Sequence, residues 1–272
     1  MIRISATIRK RCFALPSIGV YMWLPLMQSL KATGIAIRTD REAVVGLISR
    51  QTWIDNLWLY GWNLKDISAL GAMTYLRGLY LSTPMAVLKS VGSSESLETL
   101  GVEFKDTDCV YSGADALRSL FIGDFDASDC KRLDVLSLRS CALTSSTLRS
   151  LDGLRLYALR ELGLKGCKRL HDLRPIVQAT NLCHLDLTGC KGVRDLSALS
   201  SVSCLQELYV IDCGRIDSLL PLSGLGDLTT LHFYGDTRIE DGKVGFLRTM
   251  PKLRTVTFAN RTHYDSRRED FL

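Results

Sequence analysis

The 272-residue sequence predicts an α/β solenoid, a stack of short parallel strands on a concave side joined by convex turns, 3-10 segments and short helices. Three observations predict it. Apolar pairs of the form L-x-L recur along most of the chain, in most cases 20 to 26 residues apart. Several repeats then continue with an acid and two spaced apolar residues, as in "DISAL" at 66–70, "DLRPI" at 172–176 and "DLSAL" at 195–199. A cysteine stands three positions after the second apolar residue at Cys167, Cys190 and Cys213, each 23 residues from the last. A sustained period of this size marks one supersecondary unit stacked on copies of itself.

The strands follow from the pairs. They are Ile35/Ile37, Leu57/Leu59, Leu79/Leu81, Leu100/Val102, Leu120/Ile122, Leu136/Leu138, Leu162/Leu164, Leu185/Leu187, Leu208/Val210, Leu231/Phe233 and Val256/Phe258. Alternation with period two sends each pair to one side and its neighbours to the other. About eleven strands, spaced about 4.8 Å apart, span an arc of roughly 50 Å. No single repeat can bury its own leucines, so the core exists only in the stack. Asp66 and Asp195 are placed to cap the N–H groups of the turn that opens each convex segment. The longer steps, from Ile35 to Leu57 through "RTDREAVVGLISRQ" and from Leu136 to Leu162, have room for a helix.

Residues 54–258 resemble the leucine-rich-repeat family, whose pattern is L-x-x-L-x-L-x-x-[N/C]-x-L. The match is sharpest in "LRELGLKGCKRL", "LCHLDLTGCKGV" and "LQELYVIDCGRI". The short second halves look like those of the bacterial internalins and the phosphatase-regulating leucine-rich proteins, and the cysteine looks like that of the cysteine-containing subclass. The resemblance implies that Cys141, Cys167, Cys190 and Cys213 form a ladder inside the solenoid, each donating to a loop carbonyl. A thiol is a small hydrophobe and weak donor, suited to that place. Four sulfurs in a line one repeat apart cannot surround one zinc at about 2.3 Å, and parallel Cβ vectors disfavour a disulfide.

The totals bound the function. The net charge of +5 is concentrated at the start, where residues 1–40 hold Arg3, Arg9, Lys10, Arg11, Lys31 and Arg38 against Asp40 alone. Setting these apart from the 34 basic and 29 acidic residues leaves 28 of each, a neutral body. It lacks the basic footprint of a nucleic-acid binder, so no nucleic acid is expected. Nine cysteines with no C-x-x-C argue for a reducing compartment.

The acid-free, Arg- and Ser-rich start reads as a mitochondrial transit peptide, with Ile4, Ile8, Cys12 and Leu15 on one helical face. The uncharged stretch 12–30 admits two other readings: a secretory or membrane segment, or a cap folded over the first repeat. Pro16, Pro25, Ser17, Gly19 and Gln28 interrupt the first of these, which disfavours a membrane span. The expected organisation is a leader or N-terminal cap at 1–34, a solenoid at 35–259 and a polar C-terminal tail at 260–272.

No P-loop, G-x-G-x-x-G after a strand, H-E-x-x-H or G-x-S-x-G is present, so no enzyme chemistry, metal or cofactor is expected. His184 with Cys183 and Cys190 comes nearest to a ligand set, but Cys183 and His184 face opposite sides of a strand. What remains is the strand face. Its outward positions include Trp58, Tyr60, Tyr80 and Phe121, then Arg139, Lys165 and Asp186, then Tyr209, His232 and Tyr234. Aromatic side chains on such a face are the usual anchors of protein interfaces. Alternatively, Trp58 and Tyr60 are covered by the N-terminal segment or simply favour strands. The expected function is a non-enzymatic scaffold that binds a protein on its concave face, in assembly or regulation of a mitochondrial complex. The alternatives are a regulatory subunit of an enzyme such as a phosphatase or ubiquitin ligase, and a secreted adhesin. Cytoplasmic residence is the other expected location.

Overall fold

The computed structural model describes residues 12–15 (backbone only), 34–83, 96–103, 116–125 and 138–271. The chain forms two compact units, Met1–Ile122 and Gly123–Leu272. Each has the leucine-rich-repeat architecture: parallel strands, most of them built on the L-x-L pairs, with 3-10 turns between strands.

In the first unit the strands are β1 (Cys12–Leu15), β2 (Gly34–Arg38), β3 (Asn56–Tyr60), β4 (Gly78–Ser82), β5 (Thr99–Val102) and β6 (Ser119–Ile122). They lie in chain order, all parallel, with Ile35, Leu57, Leu79, Leu100 and Leu120 in register. The helix expected after β2 is present as α1 (Glu42–Ile48), which buries Val44, Val45 and Ile48. Residues 12–15 are extended and pair with β2, so the helical face expected through Cys12 and Leu15 does not form there.

In the second unit β7 (Ser140–Thr144), β8 (Glu161–Lys165), β9 (His184–Asp186), β10 (Glu207–Tyr209), β12 (Thr230–Phe233) and β14 (Thr255–Phe258) form the sheet, again parallel and in chain order. Two further strands, β11 (Arg215–Ile216) and β13 (Arg238–Ile239), pair with each other. Leu162, Leu164, Leu185, Leu187, Leu208 and Val210 are fully buried, which places the core on the side of the strands where these pairs point. Three 3-10 turns (Arg174–Gln178, Ser197–Ser201 and Leu220–Leu222) form the opposite layer and bury Ile176, Leu199 and Leu222.

Side-chain oxygens set these turns. Asp66, Asp172 and Asp195 each accept a bond from the N–H two residues on, at Ser68, Arg174 and Ser197, at 2.7 to 2.9 Å. After the strands, the chain reverses through left-handed residues: Gly166, Gly189 and Gly235 at φ +66°, +76° and +72°, and Asp212 at +54°. Glycine is needed at Gly189, because a Cβ there would press the Gly166 backbone at 3.3 Å while the residue holds a positive φ.

One expected strand is corrected. Leu136 lies outside the described residues, and Leu138 precedes β7 rather than lying in it; the inward pair of that repeat is Cys141/Leu143, with Cys141 in register with Leu162. This repeat has no left-handed residue between strand and ladder, so it is one residue shorter there than its successor. The step from Leu120 is then 21 residues, and no helix occupies 145–160. Cys141 is accordingly a strand-core residue, not a ladder residue, and burial pushes its thiol up to about 12.

The C-terminal residues are ordered against the last repeats. Arg261 donates to the carbonyls of Gly235 and Thr237, and Asp265 accepts from the N–H groups of Val244 and Gly245. Phe271 meets Phe258 edge-on, with centroids 5.6 Å apart.

Candidate functional site: the strand faces

Cys190 Sγ donates to the Leu164 carbonyl at 2.9 Å, and Cys213 Sγ to the Leu187 carbonyl at 2.8 Å. Each thiol therefore bonds the preceding repeat's strand. Cys167 Sγ reaches the Lys165 carbonyl at a long 3.9 Å. The series is completed by hydroxyls. Ser145 donates to the Phe125 carbonyl at 2.6 Å, and Thr237 to the Val210 carbonyl at 2.7 Å. A shared bond with Cys167 pushes the Cys190 thiol up, and burial adds to it; the same bond lowers Cys167 against the opposing effect of burial. Burial pushes Cys213 up to about 12.

In the first unit the residues opposite the core form a row in register: Ala36, Trp58, Tyr80, Gly101 and Phe121. Trp58 and Tyr80 stack flat, with centroids 5.1 Å apart and planes 1° from parallel. The far face of Tyr80 rests over Gly101, where an added Cβ would meet Cδ1 at 2.5 Å. Trp58 is only 6% exposed. The sequence places Trp58 among exposed anchors; the structure corrects this, since the indole is a covered member of the stack. Tyr60 is 41% exposed, and its hydroxyl pKa is raised by partial burial and by Glu103. Phe121 is half-buried at the other end.

The second unit carries a different row. Asp186, Tyr209, His232 and Thr257 are in register across β9, β10, β12 and β14. Tyr209 stands between two imidazoles, 5.1 Å from the His184 ring and 5.0 Å from the His232 ring. Tyr234 meets His232 edge-on at 6.3 Å and is 39% exposed. Glu207 ties the group together: its Oε2 lies 3.1 Å from His184 Nδ1 and accepts from the Tyr209 hydroxyl at 3.1 Å. Burial lowers the His232 pKa, opposed by Glu207, and its Nδ1 is buried without a hydrogen-bond partner. Next to this group, Lys165 pairs with Asp186 at 3.1 Å, and Asp186 also accepts from the Thr188 N–H and hydroxyl.

Of the expected site residues, Tyr209, His232 and Tyr234 are thus brought together, and Lys165 meets Asp186. Arg139 is not on the face; it lies just before β7, with its guanidinium on the Ala158 carbonyl at 3.4 Å. Sequence reasoning passed over Glu207. The available signal was its place 23 residues after His184, directly opposite it in the next strand.

Among the described residues no group of three or more His, Cys, Asp or Glu side chains is arranged to hold a metal ion, and no helix is long and apolar enough to cross a membrane. A depression of about 260 Å³ on the turn side is lined by His171, Asp172, Arg174, Asp195 and Ser197. There Asp172, held down to about 2 by the Arg174 guanidinium, closes on it through bonds of 2.9 and 2.7 Å.

In-register leucine strands, short turns and a bonded ladder together make this a leucine-rich-repeat fold. No family model matches the chain, and no curated protein does. Among solved structures, it is similar to an internalin of Listeria monocytogenes, at 19% identity over 84% of this chain and 79% of that one, with a TM-score of 0.43. A second Listeria monocytogenes internalin, C2, is 23% identical over 78% and 74%, with a TM-score of 0.34. A leucine-rich-repeat protein of Leptospira interrogans is 12% identical over 86% and 80%, with a TM-score of 0.38.

Proposed function

We propose that this leucine-rich-repeat protein is a non-enzymatic scaffold that holds a protein partner on the strand face of its second unit. The observation that carries this reading is the His184–Glu207–Tyr209–His232–Tyr234 group. These side chains are fixed by one another, take no part in the leucine core, and leave Tyr234 39% and the Glu207 side chain 44% exposed. A face whose side chains are already ordered loses little entropy when a partner covers it. Aromatic groups held in this way supply interface anchors. The test is affinity purification from cells with mass spectrometry, comparing wild type with Tyr234→Ala. Loss of the same co-purifying protein, with an unchanged thermal melt, supports the site. Undiminished capture places the partner elsewhere.

The setting we propose is mitochondrial, in assembly or regulation of a larger complex. The support is the acid-free basic start, with Arg3, Arg9, Lys10 and Arg11 ahead of the first acid at Asp40. Cleavage after Arg11 would leave β1, which begins at Cys12, intact. A reporter fused to the first residues through Phe13 should enter mitochondria. A diffuse reporter, with Met1 intact on the native protein, would refute this setting.

A further inference from the structure

We infer that the strand face of the second unit takes an extended partner segment carrying basic side chains, with cations seated at Glu161 and Glu207. This rests on the scaffold reading and adds the chemistry of the partner. The charges on the face decide it. At the outward positions of the six sheet strands stand Glu161, Lys165, Asp186 and Glu207, with His184 and His232 as the titratable imidazoles. Lys165 is committed to Asp186 at 3.1 Å. Two carboxylates remain, and neither meets a lysine or arginine of this chain among the described residues.

Each already has a partner on the face through one oxygen, Glu161 through Ser140 and Glu207 through His184 and Tyr209. Glu161 accepts from the Ser140 hydroxyl at 3.0 Å. Glu207 accepts through Oε2, and its Oε1 takes no bond from a described residue. Each carboxylate therefore keeps acceptor capacity on the exposed side, where a charge-assisted bond is stronger than a neutral one. The two sit on strands that flank β9, so their backbones are about 9.6 Å apart. An extended segment crossing the strands advances about 3.3 Å per residue, so basic residues about three apart meet both. The Tyr209 ring faces are already covered by His184 and His232, which leaves the carboxylates rather than ring stacking to hold the cation. Arg139 precedes β7 and Arg160 precedes β8, and Arg139 is turned onto the Ala158 carbonyl.

The experiment uses the full chain and two fluorescein-labelled glycine–serine peptides, one with arginines three residues apart and one with glutamates there. Fluorescence anisotropy at low ionic strength should show saturable binding of the arginine peptide alone. Binding should weaken at least about tenfold in Glu161→Gln/Glu207→Gln. It should stay within about twofold in Asp152→Asn/Asp227→Asn, which removes equal charge from outside the sheet. No binding of the arginine peptide, binding of the glutamate peptide, or equal losses in both double variants would overturn the proposal. Glu161→Gln alone, at an exposed position, gives the same reading should the double variant fold poorly. Cellular capture lost in Tyr234→Ala while the arginine peptide fails to bind refutes the basic partner and keeps the scaffold site. Capture unchanged in both Tyr234→Ala and Glu161→Gln/Glu207→Gln refutes both.

Discussion

The backbone N–H of Cys213 donates to the Thr237 hydroxyl at 3.0 Å, and that hydroxyl donates to the Val210 carbonyl at 2.7 Å. One buried side chain thus serves two backbone groups of the preceding repeat, and Thr237 is only 1% exposed. Thr237→Val keeps the shape and removes both bonds. It leaves a buried donor and a buried acceptor unpaired, at about 1–3 kcal/mol each. Urea unfolding should show a loss of about 2 kcal/mol or more. A loss below about 0.5 kcal/mol would mean that water replaces the hydroxyl.

The thiols one and two repeats earlier likewise donate to a carbonyl of the preceding repeat, as weaker donors. Cys190→Ser should cost no more than about 1 kcal/mol, because Ser145 and Thr237 already place hydroxyls in the same ladder. Cys190→Asp puts a charge in a site with no exposure and should cost about 3 kcal/mol or more. In the native state Cys167, Cys190 and Cys213 should resist an alkylating reagent, since all three are fully buried. Rapid native labelling of any of them, located by peptide mass mapping, would show that the ladder opens.

Much of this was legible because the leucine pattern and the stacking obey one period. From Leu162 onward the first residue of every L-x-L pair lies in the expected strand, with Leu187 and Val210 one residue past the ends of theirs, and the Asp66 and Asp195 caps form as read. The misreading at Leu136/Leu138 arose because Cys141/Leu143 does not look like a leucine pair, and the missing left-handed residue brings Ser145 directly after the strand. Cys141, aligned as a ladder thiol by its proximity to a leucine pair, is core for the same reason. The faces were less legible. Period two tells which side Trp58 points to, but not that its ring lies flat on Tyr80 or that the indole is covered. Glu207 was missed because its role depends on a neighbour one repeat away, a relation that register creates and local sequence does not display.

The Trp58 stack gives a prediction that separates packing from docking. With the indole 6% exposed and stacked on Tyr80, Trp58→Ala should lower stability by about 3 kcal/mol. Tyr60→Ala, at a position 41% exposed, should change it by less than about 0.5 kcal/mol. Far-UV circular dichroism in urea measures both. Equal small effects would show that the indole is held too loosely to matter.

His232 supplies the pH dependence. Its pKa is lowered from the ordinary 6.5, by burial first, with Glu207 opposing. The unfolded chain therefore binds this proton more readily than the folded one, and stability rises with pH wherever that difference holds. The contribution is fully present above 6.5 and is lost as pH falls through the lowered folded value. Protonation would place a cation between Tyr209 and Tyr234 at a ring whose Nδ1 is already buried without a partner. His232→Phe keeps the ring stack and removes the titration. Thermal melts of wild type and variant between pH 7.5 and pH 5 should converge at the upper end and separate toward the lower, with wild type losing more. Parallel curves would show that His232 titrates as freely when folded as when unfolded, and that its burial has no energetic weight.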